Sequence, residues 1–257
     1  MKRILLILWM LLALFVANAA TGFRFALITD LHIQMSNLQP DEDLQRAIDE
    51  LNASDEIDFV LVSGDITQSG DSSSLKKAKK MLDSLQMPYY ITLGNHEVNW
   101  AENETANYLR VFASDKFAFA HKDFYFVGFP TKPIEKGGEG FILAEDIQWL
   151  ETKLDSLKAD IPVFAITHYP LLKGDVANGQ EVINLLKKHN TQAVLSGHYH
   201  RNMIFNYDGV PGIVCRSTLR GNEAVGGYII FDISDEIVVS EKRIGMEAEE
   251  LLNFPVK

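Results

Sequence analysis

The sequence predicts an α/β fold in which a mixed β-sheet core carries helices on its outer faces. Short apolar runs alternate with amphipathic helical patterns from Phe23 onward, as in chains whose strands are joined by helical crossovers. Several of these runs are almost continuously apolar, which is typical of strands covered on both faces. The 257 residues are 47% hydrophobic, which is enough for a full core. No internal repeat or long linker divides the chain, so we expect a single domain over residues 20–257.

The first nineteen residues have the pattern of a secretory signal peptide. Lys2 and Arg3 precede an apolar run over residues 4–17, and Ala17-Asn18-Ala19 forms a small-x-small cleavage site. We therefore expect cleavage after Ala19 and an exported protein, periplasmic or secreted, with no stable membrane insertion. A retained N-terminal membrane anchor is the alternative, although the run is short for a span, which needs about 20 apolar residues.

The first half of the remaining chain predicts three strands separated by two helices. The strands cover residues 25–29, 58–63 and 89–93. Apolar residues at helical spacing indicate the two helices, one marked by Leu44, Ala47, Ile48 and Leu51, and the other by Leu75, Ala78, Leu82 and Leu85. Because helical crossovers usually join parallel neighbours, we expect these three strands to be parallel.

The second half mixes antiparallel and crossover patterns. Residues 116–120 and 124–129 predict a hairpin, and residues 162–167 and 193–196 predict two buried strands. Residues 182–186 fall in a helix, and residues 203–242 predict several antiparallel strands. One further helix is marked by Ile147, Leu150, Leu154 and Leu157.

Charge and cysteine content narrow the possible partners. The formal net charge is −11, and removal of Lys2 and Arg3 with the signal peptide makes it more negative by two. An acidic chain is poorly suited to a nucleic-acid polymer, because Lys and Arg contacts to phosphates supply most non-specific affinity. Cys215 is the only cysteine, so no internal disulfide can form, and we expect it to be a buried thiol.

The candidate functional residues stand at or just beyond the ends of five apolar runs. They are two aspartates, one asparagine and five of the seven histidines: Asp30 and His32, Asp65, Asn95 and His96, His168, and His198 and His200. Ligands of open α/β sheets bind beyond the carboxyl ends of the strands, which is where these residues lie. The other two histidines, His121 and His189, are expected to be structural or solvated.

Spacing within the motifs suggests how the side chains converge. Asp30 and His32 are two residues apart, so in an extended segment both side chains would point to the same side, and His198 and His200 repeat that spacing. A glycine precedes three of the motif residues and provides permissive backbone at a sharp exit: Gly64, Gly94 and Gly197.

The donor set indicates divalent metal ions. Mixed nitrogen and oxygen ligands without thiolate suit zinc, iron or manganese. With one histidine left over, the set has seven protein ligands, which are too many for one catalytic ion that usually keeps about three and a water. Two ions that share one carboxylate fit the count, and such pairs, about 3.5–4 Å apart, clamp both oxygens of an in-line displacement.

In this order the five blocks resemble the motifs of the calcineurin-like metallophosphoesterases, and they extend from Asp30 to His200. The resemblance implies a two-sheet mixed β-sandwich flanked by helices, a four-layer αββα fold. It also implies that Asp65 bridges two metals, that a bridging hydroxide attacks phosphorus, and that His96 acts on the phosphoryl group or leaving oxygen without binding metal. The implied ligands are Asp30, His32 and His200 for one metal, and Asn95, His168 and His198 for the other.

Two departures from the family pattern matter. Gln68 stands where many relatives carry an aspartate that supports the catalytic histidine, so His96 must be oriented in another way. The arginine that follows Gly-Asp in protein phosphatases is missing, which argues against that activity. Glu97 is expected to shape the turn of its motif. Three cations after the last motif are candidates to meet substrate oxygens or to be solvated: Arg201, Arg216 and Arg220.

The sequence therefore predicts a dinuclear-metal phosphoesterase that hydrolyses a small phosphomonoester or phosphodiester. Two alternatives stay open, namely a nucleotide-directed phosphodiesterase and a binding protein that keeps the metals without turnover. The expected partner is a small phosphate ester, and no signal of oligomeric state is present in the sequence.

Overall fold

The computed structural model describes residues 22–99, 105–135 and 138–257. The expected signal peptide at residues 1–19 lies outside this part of the chain. Within the described ranges, no helix has both the length and the apolar content needed to cross a membrane.

Fourteen strands lie in the described residues. They are β1 (Phe23–Ile28), β2 (Phe59–Ser63), β3 (Tyr89–Thr92), β4 (Phe117–His121), β5 (Phe124–Gly128), β6 (Lys132–Pro133), β7 (Gly140–Phe141), β8 (Val163–Ile166), β9 (Thr191–Ser196), β10 (Met203–Tyr207), β11 (Val210–Val214), β12 (Gly227–Ile233), β13 (Glu236–Arg243) and β14 (Ala248–Pro255).

The helices of the same ranges are α1 (Gln39–Asn52), α2 (Ser72–Leu82), α3 (Asn95–Asn99), α4 (Ala106–Phe112), α5 (Ala144–Asp155) and α6 (Gly179–Leu186). The α2 helix begins at a strong N-cap, because the Asp71 carboxylate accepts hydrogen bonds from the main-chain N–H groups of Ser73 and Ser74. Leu85 and Leu157, which the apolar spacing assigned to helices, lie just beyond the ends of α2 and α5.

The strands form two six-stranded sheets and a small two-stranded one. The first sheet has the order β14-β13-β12-β1-β2-β3, in which β1, β2 and β3 are parallel, as predicted, and the other pairs are antiparallel. The second has the order β10-β11-β9-β8-β5-β4, with a parallel centre and an antiparallel pair at each edge. Strands β6 and β7 pair with each other, and Gly140 of β7 also forms an isolated parallel bridge with Val176.

The two sheets pack face to face with helices outside. In β1, Phe25 and Leu27 point into the aromatic core between the sheets, whereas Ala26 and Ile28 pack against the apolar sides of α1 and α2. The outer face of the second sheet packs on α5 and α6, where Leu150 and Val182 are among the buried residues. This is the predicted four-layer αββα sandwich, and the fold class is confirmed.

Two features of the C-terminal region differ from the prediction. Strand β11 pairs antiparallel with β10, as expected, but parallel with β9 on its other side, so the tail is not wholly antiparallel. Strand β14 lies outside the predicted tail and adds an edge strand to the first sheet. Both differences arise because a strand completes whichever sheet edge is left open, which depends on the whole fold.

The sheet arrangement brings distant motifs together. Residues that follow β1, β2 and β3 in the first sheet, and β8 and β9 in the second, all leave the carboxyl ends of parallel strands. The two sheets present these ends at the same edge of the sandwich, and the candidate functional residues meet there.

Candidate metal centre

The candidate ligands gather in one small volume. Three overlapping groups of side chains each bring their ligand atoms within 4.8 Å of one another. These groups are Asp30, His32 and His200; Asp65, His168 and His198; and His32, Asp65 and His96. Because the last group shares a member with each of the others, the structure places the two sets side by side with Asp65 between them.

Asp30 is the centre of the first set. Its Oδ1 lies 3.2 Å from Nε2 of His200 and 3.9 Å from Nε2 of His32. The Nε2 atoms of the two histidines are 3.1 Å apart. Two ring nitrogens and a carboxylate oxygen therefore point at one another.

Asn95 completes the second set. Its Oδ1 is 3.1 Å from Nε2 of His168 and 3.0 Å from Nδ1 of His198. Asp65 Oδ2 is 3.2 Å from His168 Nε2 and 3.9 Å from Nε2 of His32, which belongs to the first set. The Asp65 oxygen thus faces both sets.

Each aspartate directs one oxygen to the candidate ligand histidines and the other to a main-chain N–H. Asp65 Oδ1 accepts a 2.9 Å hydrogen bond from the N–H of His96, while Oδ2 faces the histidines. Asp30 Oδ2 accepts from the N–H of His198, while Oδ1 faces His200. Each of the two carboxylates therefore fixes the backbone of a neighbouring motif through one oxygen and presents the other oxygen to the centre.

The donors fit divalent ions. Asp30 Oδ1 is buried and has no hydrogen-bond partner among the described residues, although it is surrounded by ring nitrogens. A buried carboxylate oxygen without a donor is costly unless a cation or proton satisfies it. Carboxylate, amide and imidazole donors are those expected for zinc, iron or manganese.

Backbone conformation, and not extended spacing, aims the ligands. Asp30 (φ 53°), His32 (φ 47°), Asp65 (φ 48°), His198 (φ 74°) and His200 (φ 56°) all adopt the left-handed region. The expectation that each Asp-x-His or His-x-His pair leaves its strand extended is therefore wrong. Such conformations cost about 1–3 kcal/mol each and persist where the surrounding structure holds them.

Hydrogen bonds between motifs hold this backbone. The N–H groups of Asp30 and His32 donate to the carbonyls of Gly64 and Asp65, at 3.1 and 3.0 Å. The Nδ1 atom of His168 lies 2.7 Å from the carbonyl of Ser63, which fixes its ring and leaves Nε2 facing the carboxylates. The motif loops thus brace one another.

The three motif glycines are required for two different reasons. Gly64 has φ +92°, which favours glycine. At Gly94, a Cβ would fall on the Asp65 carboxylate, and at Gly197 it would fall on Thr29 and Asp30. Permissive backbone explains only the first, because the other two make room for close approach of the ligand loops.

Electrostatics keep two of the four candidate ligand histidines neutral, whereas the pKa of the other two, His168 and His200, is raised. Burial lowers the pKa of His32 and of His198 to about 4, so both rings are neutral at pH 7, which is the form that binds metals. Burial also lowers the pKa of His168, but the nearby Asp65 outweighs it and raises that pKa to about 9. Burial raises the pKa of Asp65, yet the histidines, led by His168, hold it well below its usual range.

Exposure shows from which side a substrate can approach. The side chains of Asp30 and His168 are 0% exposed, whereas His200 is 47% exposed and His96 is 18% exposed. The centre is therefore open on the side of His96 and His200 and closed beneath by the strands.

His96 lies beside the ligands and is oriented by the main chain. Its Nε2 is 3.8 Å from Asp65 Oδ2, and its Nδ1 is 2.7 Å from the carbonyl of Gln68. The missing aspartate at position 68 is thus replaced by a backbone oxygen of the same residue. Glu97 is 0% exposed and accepts hydrogen bonds from Thr67 and from the N–H of Gly94, so it shapes the turn as expected. Sequence patterns carry no signal for the contact between His96 Nδ1 and the carbonyl of Gln68.

Two of the three arginines proposed near the substrate are neutralised by acids. Their carboxylate partners lie at 2.7–3.0 Å: Glu223 and Glu241 for Arg216, and Asp43 and Glu42 for Arg220. Arg201 is exposed, lies 5.7 Å from the ring centroid of Tyr199, and makes no ion pair within the described part of the chain. Arg201 therefore stays a candidate substrate contact, whereas Arg216 and Arg220 are directed to carboxylates.

The remaining histidines lie near aspartates outside the candidate centre. His121 Nε2 lies 3.4 Å from Asp58, and His189 Nε2 lies 3.4 Å from Asp155. Cys215 is fully buried, as predicted.

Comparisons with known proteins identify the family of the chain and similar folds. The family model described as calcineurin-like phosphoesterase matches residues 23–202. A probable cyclic nucleotide phosphodiesterase of Xenorhabdus bovienii is 23% identical over 208 residues, which cover 72% of this chain and 81% of that protein. A 3′,5′-cyclic-nucleotide phosphodiesterase of Nostoc sp. is 24% identical, with 72% and 74% of the two chains covered.

A solved structure with a similar fold is a purple acid phosphatase from seeds of yellow lupin (Lupinus luteus). It superposes with a TM-score of 0.68 at 13% identity and covers 91% of this chain and 53% of the phosphatase. At this identity the similarity shows the fold alone.

Proposed function

The chain belongs to the calcineurin-like phosphoesterase family and is a metal-dependent phosphoric ester hydrolase, and on that premise we propose that it is a dinuclear-metal phosphodiesterase. The observation that carries the proposal is the convergence of seven candidate ligands into two adjacent sets with Asp65 facing both.

Each set would hold one divalent ion. Asp30, His32 and His200 form one set, and Asn95, His168 and His198 form the other, with Asp65 shared. Ions in such a pair neutralise phosphoryl oxygens and lower the pKa of a coordinated water to about 7. Manganese, iron and zinc all suit these donors, so the choice among them depends on supply.

The residues around the metals prepare the ester for in-line displacement. His96 stands at the open side of the centre and can reach a phosphoryl or leaving-group oxygen, which makes it the candidate for charge stabilisation or proton transfer. The fixed backbone of the ligand loops holds the groups in place, so little reorganisation is needed during reaction. The closed floor beneath Asp30 and His168 excludes water from that side.

A small phosphodiester is the substrate class that we favour. The curated relatives described above are named as cyclic nucleotide phosphodiesterases, and the open centre accepts a small ester from the side of His96. A 3′,5′-cyclic nucleotide is therefore the first substrate to test, ahead of phospholipid headgroups and sugar phosphates.

Hydrolysis assays test this proposal. The purified protein with added manganese is expected to hydrolyse bis-p-nitrophenyl phosphate and a 3′,5′-cyclic nucleotide faster than the monoester p-nitrophenyl phosphate. Faster hydrolysis of the monoester would contradict the diesterase assignment. Two bound ions without turnover of any ester in the panel would instead support a metal-retaining binding protein.

We further propose that residues 1–19 direct export and that residues 20–257 form one domain. The expected mature N-terminus is Ala20, which intact-mass measurement of the protein expressed with its leader would identify. A mass that includes residues 1–19 in a membrane fraction would support the anchored alternative.

A further inference from the structure

The ring of His96 is held by a tight turn over residues 67–70. The carbonyl of Gln68 lies 2.7 Å from His96 Nδ1. A carbonyl oxygen only accepts, so Nδ1 carries the hydrogen and the ring is fixed with Nε2 toward Asp65.

The turn is itself anchored by a buried carboxylate. Glu97 Oε1 accepts from the N–H of Thr67 at 2.9 Å and from Oγ1 of Thr67 at 3.1 Å. The same Oγ1 accepts a 2.9 Å hydrogen bond from the N–H of Gly70 and so closes the turn. Thr67 and Glu97 are both 0% exposed, so loss of one of these hydrogen bonds would leave a buried polar group without a partner, which costs free energy of folding.

Glu97 also holds the backbone segment that leads into His96. Its second oxygen, Oε2, accepts a 2.9 Å hydrogen bond from the N–H of Gly94, at the start of the loop that carries Asn95 and His96. One carboxylate therefore fixes both the backbone that carries the His96 ring and the turn whose carbonyl orients it.

Resting on the proposed function, we propose that Thr67 and Glu97 are positioning residues for His96, and that they act through the main-chain carbonyl of Gln68. In this chain the Gln68 carbonyl, held by this pair, takes the place of the side-chain carboxylate that supports the corresponding histidine in many relatives. Both side chains are 0% exposed, so their effect on the reaction passes through the His96 ring.

Thr67→Val tests the proposal, because it keeps the shape of the side chain and removes the hydroxyl that joins Glu97 Oε1 to the N–H of Gly70. Thr67→Ser restores the hydroxyl. Thr92→Val is the matched control, since Thr92 is also 0% exposed and its hydroxyl donates a 2.9 Å hydrogen bond to the carbonyl of Asp115, which is not part of the turn over residues 67–70. Each variant is made in the full chain, with and without His96→Ala, and metal content and Tm are measured for all.

With bis-p-nitrophenyl phosphate, Thr67→Val is expected to lower kcat roughly tenfold with KM and metal content unchanged, because misplacement of a reacting group lowers the rate without weakening binding. Thr67→Ser should recover most of kcat, and Thr92→Val should keep it. In the His96→Ala background Thr67→Val should cause no further loss. An equal loss in both backgrounds would overturn the proposal, as would a kcat for Thr92→Val as low as that for Thr67→Val.

A second readout does not depend on turnover. Long-range ¹H–¹⁵N NMR spectra of the zinc-loaded protein report which nitrogen of His96 carries the hydrogen. Thr67→Val should shift this signature and Thr92→Val should not, and an unchanged signature in Thr67→Val would also overturn the positioning role. If the wild-type protein hydrolyses no ester, the proposed function fails while this spectrum still tests the positioning. Thr67→Ala, which removes the same hydroxyl, replaces Thr67→Val if the latter does not fold.

Discussion

Asp65→Asn separates the folding role of this residue from its proposed metal role. The amide oxygen of the new side chain can still accept from the N–H of His96, as Asp65 Oδ1 does at 2.9 Å. Its NH₂ group would face His168 Nε2. Without the Asp65 charge, burial favours the neutral His168 ring, and Nε2 can then accept because Nδ1 donates to the Ser63 carbonyl. The metal-free variant should therefore fold with a Tm within a few degrees of metal-free wild type.

The loss should appear when metal is added. Removing a group that only supports a metal ligand costs roughly 10–100-fold in affinity. If Asp65 serves two ions, we expect a combined loss of at least roughly 10²–10⁴, which is about 3–5 kcal/mol. Metal at about 100 times its Kd stabilises a protein by about 2.7 kcal/mol per ion. For a protein of this size two ions should then raise the Tm of wild type by about 10–20 °C, and that of Asp65→Asn by much less.

The assay is thermal unfolding over a manganese titration, with kcat/KM for bis-p-nitrophenyl phosphate measured in parallel. Asp123→Asn is the matched control, because Asp123 is exposed and lies in the turn between β4 and β5, at the edge of the sheet opposite to the site. Asp123→Asn should behave as wild type in both measurements. If Asp65→Asn kept the full metal-induced rise in Tm, the shared role of Asp65 would be refuted.

Three further outcomes are expected. Asp71→Ala removes the N-cap of α2 and should lower the free energy of unfolding by about 1 kcal/mol at pH 7, measured by urea denaturation. Although partial burial raises the pKa of Asp71, hydrogen bonds from Ser74, Ser73 and Ser69 hold it below its ordinary value. The difference in unfolding free energy between wild type and Asp71→Ala should therefore be present above about pH 4 and shrink as the pH falls below it. A difference that stayed constant with pH would contradict the cap. Gly197→Ala places a Cβ on Thr29 and Asp30 and should cost about 1–3 kcal/mol together with loss of metal affinity, and an unchanged Tm and metal content would show that the loop can move. Chelation by EDTA should abolish hydrolysis and manganese should restore it, whereas full activity without metal would exclude the proposed chemistry.

The fold could be predicted because its interior strands are continuous apolar runs, whereas its helices have apolar residues at helical spacing. In β1, Phe25 and Leu27 face one core and Ala26 and Ile28 the other, so the strand is a continuous apolar run. The clustering of ligand residues was predictable from the same pattern, since each motif follows a parallel strand and such strands end at one edge. Neither inference needs a long-range contact to be known.

Other features depend on contacts that the sequence does not record. Asp30 and His198 adopt a left-handed φ that is stabilised by hydrogen bonds to residues far along the chain. The N–H of Asp30 donates to the carbonyl of Gly64, and the N–H of His198 donates to the carboxylate of Asp30. Local spacing alone therefore suggested an extended segment. The fold brings acidic side chains next to Arg216 and Arg220. The positive charge of an arginine in the sequence does not show whether it will bind such an acid or a substrate oxygen.

The edge strands were hard to predict for a related reason. Strand β14 is largely exposed and contains Glu249 and Glu250, so it lacks the apolar run that marks an interior strand. The parallel pairing of β11 with β9 depends on the edge that β9 leaves open. Edge pairing is thus a property of the assembled sheet.

Anomalous diffraction from crystals of the manganese-loaded protein would test the central claim most directly. Two peaks about 3.5–4 Å apart are predicted, with Asp65 bound to both and His96 bound to neither. One peak alone, peaks away from these residues, or direct coordination by His96 in place of His198 would contradict the proposed dinuclear centre.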